Sequence, residues 1–243
     1  MDVRSLALVQ CSTLSFAPTV EVQIEVTTMS KAAIIHLPAP RHRGDISVEE
    51  ALSGRSSVRS FTNEAITLAD LSQLACACQG VTRMLECPPG WSWGAWAGGK
   101  RTAPSAGALY PLETYLLAGN VSGLGRGIYR YVPLDHRLLV VGGGDRREDL
   151  ALAAHGQEWV AEAPLVFVVG VVRARTVVKY GERATRYIHI EVGHAVENIC
   201  LQAVALGLGT TVVGAFKDED VHTVVGMRPG EVPLAIVPVG RGR

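Results

Sequence analysis

Residues 101–111, which read Arg-Thr-Ala-Pro-Ser-Ala-Gly-Ala-Leu-Tyr-Pro, constrain the fold of this chain more than any other stretch. Pro104 and Pro111 fix φ, and Gly107 has no Cβ. With short side chains between them, this backbone can lie directly against a flat ligand. The stretch therefore predicts a cofactor-binding surface at residues 104–111, which we call the shelf. An ordinary turn leading into a strand is the alternative that these residues alone leave open.

Composition argues against several classes of partner. The chain has 243 residues, with 23 Lys plus Arg and 23 Asp plus Glu, so nothing indicates a nucleic-acid or membrane-surface partner. The five cysteines are an odd number and lack a zinc-like spacing, which favours a reducing compartment. No apolar run has the length of a secretory signal or a spanning helix. We therefore expect a cytoplasmic location, with no nucleic-acid or membrane partner and no zinc site formed by the cysteines.

Hydrophobic periodicity predicts a mixture of helices and strands. Ser47 and Glu50 form a capping-box pattern before one helix, and Thr67 and Asp70 open another. The segment 188–206 is apolar over most of its circumference, which predicts a buried central helix that ends at Gly207. A further helix is predicted at 145–161, an irregular Trp-rich loop at 81–100, and strands at 19–27, 113–118, 128–132, 165–172, 210–216 and 232–239.

Several motifs in order resemble one enzyme family. The shelf residues Pro-Ser-Ala-Gly-Ala-Leu-Tyr-Pro are preceded by Arg-Ser-Ser-Val-Arg-Ser-Phe at 55–61 and followed by Lys179-Tyr180. Glu-Val-Gly-His at 191–194 and Pro-Val-Gly-Arg at 238–241 complete the series. Together they resemble the SagB-type dehydrogenases, a branch of the nitroreductase-like flavoenzymes that bind flavin mononucleotide (FMN). The resemblance covers roughly residues 45–243 and leaves 1–44 as an N-terminal arm.

The resemblance implies a fold and a cofactor. It implies an α+β nitroreductase-like fold with a mixed, mainly antiparallel sheet flanked by helices, working as a homodimer with FMN at the interface. Arg55 and Ser57 would bind the phosphate and ribityl chain, and Arg59 would reach the pyrimidine edge of the flavin. A solvated basic helix end is the alternative for residues 55–59, and a frayed C-terminus is the alternative for Arg243. The implied FMN-binding residues are Arg55, Ser56, Ser57, Arg59, Pro104, Ser105, Ala106, Gly107, Val213, Gly214, Ala215, Arg241 and Arg243.

The resemblance also implies catalytic residues. Lys179 and Tyr180 match a pair that helps abstract the substrate proton in relatives that oxidise azoline rings in peptides. Pairing with Glu182, or lining the mouth of the site, is the alternative role for both residues. Glu191 and His194 share a helical face, but a di-iron site needs a second Glu-x-x-His pair, so we expect both to be buried polar groups.

Three functions fit these residues. The first is an FMN-dependent oxidoreductase that transfers two electrons through flavin N5, with NAD(P)H as donor and a nitroaromatic or quinone-like compound as acceptor. The second is an azoline-type dehydrogenase acting on a modified peptide or a related small ring. The third is a flavin-binding protein without turnover, which would not need Lys179 and Tyr180.

Overall fold

A seven-stranded antiparallel sheet forms the centre of the fold. The computed structural model describes residues 33–84 and 99–243. The strands are β1 (Ile34–His36), β2 (Ile66–Thr67), β3 (Val81–Arg83), β4 (Lys100–Arg101), β5 (Leu112–Ala118), β6 (Val121–Ser122), β7 (Gly127–Val132), β8 (Arg137–Gly143), β9 (Leu165–Val172), β10 (Gly209–Thr210) and β11 (Glu231–Gly240). The sheet order is β1-β8-β7-β5-β9-β11-β10, and each neighbouring pair is antiparallel.

Helices cover both faces of this sheet. They are α1 (Val48–Gly54), α2 (Leu68–Gln79), α3 (Arg147–Ala153), α4 (Glu158–Glu162), α5 (Ala174–Tyr180), α6 (Ala184–Ala205) and α7 (Asp218–Val225). Side chains alternate across β5, so that Leu116 packs in the core that contains α2 and α6. Tyr115 and Leu117 pack in the other core, with α3, α4 and α7. The predicted α+β architecture with a mainly antiparallel sheet is confirmed.

The helix ends follow the predicted capping residues. Ser47 Oγ accepts the backbone N–H of Glu50 at 3.1 Å, and the Glu50 carboxylate accepts the N–H of Ser47 at 2.7 Å. Thr67 caps α2 through the N–H of Asp70. The central helix α6 begins at Ala184, one turn before the predicted start, and Gly207 follows its end with φ of 69°. Glycine adopts this left-handed conformation without steric cost.

Two predicted elements differ from the structure. The helix predicted at 145–161 is split into α3 and α4, because His155 and Gly156 adopt positive φ between them. The strand predicted at 210–216 is reduced to β10 and an isolated bridge at Val213. Beyond Val213 the chain leaves the sheet, since Lys217 N–H donates to the Ala153 carbonyl at 2.9 Å. Packing against α3 therefore ends the strand.

Some predicted elements lie outside the residues that the structure describes. The strand predicted at 19–27 and most of the Trp-rich loop fall outside the described residues, while the ends of that loop pair as the short hairpin β3–β4. The boundary at residues 44 and 45 stays a prediction, although β1 lies on the arm side and pairs with β8. Within residues 33–84 and 99–243, no helix is long and apolar enough to cross a membrane. The cytoplasmic location stays a prediction.

Candidate functional site

The shelf is a tight, left-handed segment immediately before β5. Residues Ala106–Ala108 form a single 3-10 turn, within which Gly107 has φ of 65°. Ala108 and Tyr110 also have positive φ, 53° and 43°. Non-glycine residues rarely adopt this region, and such strain persists only where the surroundings enforce it. The shelf is therefore a backbone conformation that its contacts must hold.

Lys179 and Tyr180 lie directly over Gly107. A Cβ built on Gly107 would stand 2.9 Å from Lys179 Nζ and 2.9 Å from Tyr180 Oη. The Lys179 ammonium lies 5.5 Å from the centroid of the Tyr180 ring, and that ring packs on Tyr187 with a centroid distance of 4.6 Å. Both predicted catalytic side chains thus meet the shelf at the one residue that has no side chain.

An ion-pair network holds α5 in this position. Arg175, on the same helix as Lys179, donates to the Tyr110 carbonyl at 3.1 Å and to Glu113 at 2.6 Å. Glu113 is largely buried at the start of β5 and also accepts from Arg130 at 2.9 Å. Because Arg175 bonds both the shelf and the strand that follows it, α5 and the shelf form one supported unit.

A buried polar cluster lies behind the shelf. Ser105 Oγ donates to Glu191 of α6 at 2.5 Å and accepts the N–H of Tyr110 at 2.9 Å. Glu191 is only 2% exposed, and burial raises its pKa to about 7, although the Ser105 hydrogen bond and the charge of Arg101 act to lower it. Arg101 lies 4.4 Å from the centroid of the Tyr110 ring and donates to Gln79 at 2.8 Å.

The predicted arginines lie together in a different place, which we call the arginine cluster (Arg55, Arg59, Arg241 and Arg243). Backbone bonds join its segments: Val58 N–H donates to Thr210, Thr62 N–H to Arg241, and Arg243 N–H to Ser60. Arg55 caps the end of α1 and has no ion-pair partner among residues 33–84 and 99–243. Ser56 and Ser57 are exposed beside it, and Ser57 forms a bridge with Thr210.

Residues 213–215 and Arg59 of the arginine cluster both lie beside α4. Val213 is buried and exchanges two backbone bonds with Ile236, while Gly214 and Ala215 are exposed. Gln157, just before α4, donates to the Ala215 carbonyl at 2.9 Å. Trp159 of α4 lies 6.0 Å from the Arg59 guanidinium. The predicted backbone donor and the predicted pyrimidine-edge arginine therefore share one neighbouring helix.

The shelf and the arginine cluster are separated along α6. Glu191 contacts the shelf through Ser105, whereas a Cβ on Gly54, beside Arg55, would stand 3.2 Å from Val204. A helical rise of about 1.5 Å per residue places roughly 20 Å between Glu191 and Val204. The structure thus groups the predicted site residues in two sets within one chain and does not merge them.

Sequence reasoning missed the supporting residues. Arg101 and Glu113 flank the shelf in the sequence, but nothing in the sequence assigns them a contact with it, and Arg175 reaches Tyr110 and Glu113 only through the fold. Glu191 is buried as expected, but the expectation that His194 is buried is wrong, because His194 is exposed on α6. In the sequence, Glu191, an acidic residue on an otherwise apolar helix face, was the available signal for the buried polar cluster behind the shelf.

Comparisons with known proteins agree with the fold. The sequence profile of the nitroreductase family matches residues 52–241. A Methanocaldococcus jannaschii protein named as a nitroreductase is 39% identical over 197 residues, covering 81% of this chain and 92% of its own. The microcin B17-processing protein McbC of Escherichia coli is 27% identical over 143 residues, covering 57% of this chain and 53% of its own.

A solved structure gives a similar result. The chain superposes on a crystal structure of a protein from Anabaena variabilis, described as a nitroreductase, with a TM-score of 0.72 and 26% identity. The match covers 87% of this chain but only 42% of the Anabaena chain.

Proposed function

Because this chain belongs to the nitroreductase family, we propose that it is an FMN-dependent oxidoreductase of the SagB-type branch. The reaction is a two-electron transfer between a small-molecule substrate and flavin, with NAD(P)H as the donor. Bound FMN would supply hydride-transfer chemistry at its N5 atom. The observation that carries the proposal is the convergence of Lys179 and Tyr180 on Gly107.

The donor set of the arginine cluster fits a flavin phosphate. Arginine binds phosphate oxygens through its planar fork, and Arg55 and Ser57 are both exposed at the end of α1. Arg241 pairs with Glu64 at 2.9 Å, but both side chains are about half exposed or more, so a phosphate can replace this weak bond. Arg243 lies 4.0 Å from Glu162 in a similarly exposed pair. Arg55, Ser56, Ser57, Arg241 and Arg243 would hold the phosphate end.

The flavin ring requires flat, open backbone, and two segments offer it. A Cβ on Gly214 would meet nothing within 4 Å, which leaves space beside the backbone of Val213, Gly214 and Ala215. Arg59 would stabilise negative charge at the pyrimidine edge of the ring. The shelf residues Pro104, Ser105, Ala106 and Gly107 would contact the ring from the other side. Lys179 and Tyr180 would exchange the substrate proton over Gly107.

The separation of the two sets supports a homodimer with composite sites. A single chain holds the arginine cluster and the shelf roughly 20 Å apart along α6, so one flavin would use the cluster of one subunit and the shelf of the other. Exposed apolar side chains accompany both sets: Leu52 on α1, and Val178 and Ile190, which are 82% and 50% exposed, near the shelf. A two-fold symmetric pair would bury such side chains twice.

A near-ultraviolet and visible spectrum of the purified protein tests the proposal. We expect a flavin spectrum that bleaches when NADH or NADPH is added without oxygen. Flavin that is bound but not bleached by either donor would favour the substrate-oxidising dehydrogenase or the non-catalytic protein. If no flavin co-purifies, and none binds when FMN is added, the proposed function is wrong.

The azoline-type dehydrogenase is the second candidate. The Lys179-Tyr180 pair and the sequence similarity to the microcin B17-processing protein favour it. In that case the flavin would be bleached by a peptide or small molecule that contains a thiazoline or oxazoline ring. Turnover of such a ring at the expense of oxygen separates it from the nicotinamide-driven reductase, and lack of any turnover would leave the flavin-binding protein.

Gly107→Ala is expected to remove most activity at a small cost in stability. Alanine at positive φ costs about 1 kcal/mol of unfolding free energy, and its methyl group would displace the ends of Lys179 and Tyr180. Gly123→Ala is the matched control, since Gly123 has φ of 83° and no atom within 4 Å of the new Cβ. Urea unfolding and steady-state assays should show similar stability losses in both variants and an activity loss of more than about tenfold only in Gly107→Ala. Equal activity in the two variants would contradict the placement of the pair.

A further inference from the structure

Glu191, the hydrogen-bond partner of Ser105, has no assigned part in the proposed reaction. Ser105 belongs to the shelf, whereas Glu191 lies behind it and is shielded from solvent. A carboxylate that loses its water and gains few partners is costly to keep. In the described part of the chain, Glu191 Oε1 has no hydrogen-bond partner, and Oε2 has Ser105. A function of Glu191 at the shelf would explain why the chain keeps a buried carboxylate with so few partners.

The hydrogen-bond inventory of Ser105 depends on the charge of Glu191. A serine hydroxyl has one hydrogen to donate and two lone pairs to accept with. When Glu191 is ionised, that hydrogen is donated to Oε2 and one lone pair accepts the Tyr110 N–H. What Ser105 then offers to a ligand on the shelf is its remaining lone pair, so it acts as an acceptor.

Protonation of Glu191 reverses this polarity. A proton on Oε1 would lack an acceptor among the described residues, whereas a proton on Oε2 can be donated to Ser105 Oγ. Both lone pairs of Ser105 are then used, by Glu191 and by the Tyr110 N–H. The serine hydrogen is released and can be donated toward the shelf. The proton comes from solvent and sits on Oε2, and no other bond is made or broken.

We propose that Glu191 is a positioning residue whose protonation decides whether Ser105 offers the shelf a hydrogen-bond acceptor or a donor. The inference rests on the proposed function, because the ligand on which Ser105 acts is the flavin ring. It deepens that function by making the affinity of the shelf for a planar ring depend on a proton held behind it.

The surroundings place this change near neutral pH. Burial is the largest effect on Glu191 and raises its pKa to about 7. Arg101 of β4 is the charged group that acts against burial, and it is itself partly buried, with its guanidinium on Tyr110 and Gln79. The elements around Glu191 carry other titratable or charged groups: Tyr110 of the shelf, Cys78 of α2, Arg175, Lys179 and Tyr180 of α5, and Arg186, Tyr187, His189 and His194 on the nearest turns of α6.

The first test needs no flavin. Carbon-13 NMR of glutamate carboxyl groups in the full-length protein should show one carboxyl, absent in Glu191→Gln, that titrates near neutral pH. Ser105→Ala should raise the proton affinity of that carboxyl about tenfold, because the hydrogen bond that favours the ionised form is lost. Glu197→Gln removes an exposed carboxylate from the same helix and should leave this titration unchanged.

The second test measures FMN binding against pH by flavin fluorescence. The phosphate of FMN itself titrates near pH 6. The pH dependence of FMN binding is therefore compared between protein variants, because this contribution of the ligand is the same for all of them. In the parent protein and in Glu197→Gln, the FMN dissociation constant should change with pH by about fivefold beyond the effect of the phosphate. This additional change should be absent from Glu191→Gln and Ser105→Ala. By linkage, FMN must change the proton affinity of Glu191 by the same factor in the NMR titration.

The outcomes separate the two proposals. A Glu191 carboxyl that titrates far below neutral pH, or that does not respond to Ser105→Ala, overturns the inference whatever FMN does. An identical pH profile of FMN binding in the parent protein and Glu191→Gln also overturns it. If FMN binds to none of the proteins at any pH, the proposed function and the flavin as the shelf ligand both fail, while the NMR titration still decides whether Ser105 and Glu191 are coupled.

Discussion

Replacing Lys179 by methionine is expected to lower kcat by about 10²- to 10⁴-fold while FMN remains bound, the range typical for the loss of a proton-transfer group. Methionine keeps the length of the aliphatic chain and removes the ammonium. The Lys179 nitrogen lies over Gly107 beside the Tyr180 hydroxyl, where a ring on the shelf would present its reacting edge. The arginine cluster, which would hold the phosphate, does not include Lys179. Steady-state kinetics and the flavin content of the same preparation measure the two effects separately.

Lys217→Met is the matched control for this prediction. Lys217 is an exposed lysine that precedes α7 and lies 3.6 Å from Asp220, so it carries the same charge without contact with the shelf. Its replacement should leave kcat within about twofold of the parent value. An equal fall of kcat in both variants would indicate a general charge effect, and full activity of Lys179→Met would remove this residue from the chemistry.

The sequence predicted the regular core well because its signals are local. The run of eight apolar or small residues at 165–172 predicts a strand that is covered on both faces, and β9 has these bounds. The end of α6 followed from Gly207 alone. In contrast, β8 has one fully buried residue, Leu138, among partly buried and exposed ones, and its pairing with β7 and β1 depends on partners that periodicity does not reveal.

The site could be predicted only as a set of residues, without its arrangement. Motif order identified Arg55, Gly107 and Lys179 as candidates, but a motif carries no information about distance. Only the three-dimensional path of α6 shows that the segments of Arg55 and Gly107 lie against different turns of this helix. The Ser105–Glu191 pair was missed for the same reason, since its two residues are joined through space and not along the sequence.

An equal mixture of two impaired variants is expected to regain about a quarter of the parent activity. Arg55→Ala impairs the arginine cluster, and Lys179→Met impairs the shelf side. If each site uses the cluster of one subunit and the shelf of the other, a mixed dimer has one site with both changes and one site with neither. Random assortment makes half of the dimers mixed, so about one site in four is intact. Co-refolding equal amounts of the two variants and measuring the activity per subunit tests this.

The control is a pair of variants on the same side of the site. Lys179→Met and Tyr180→Phe both alter the shelf side, because both side chains reach the same Gly107. Every site in their mixed dimers carries one change, so no recovery is expected. If Arg55→Ala mixed with Lys179→Met also fails to recover although mixed dimers form, each site is built within one chain. One flavin would then have to span the roughly 20 Å along α6 within a single chain, with its phosphate at the arginine cluster and its ring at the shelf.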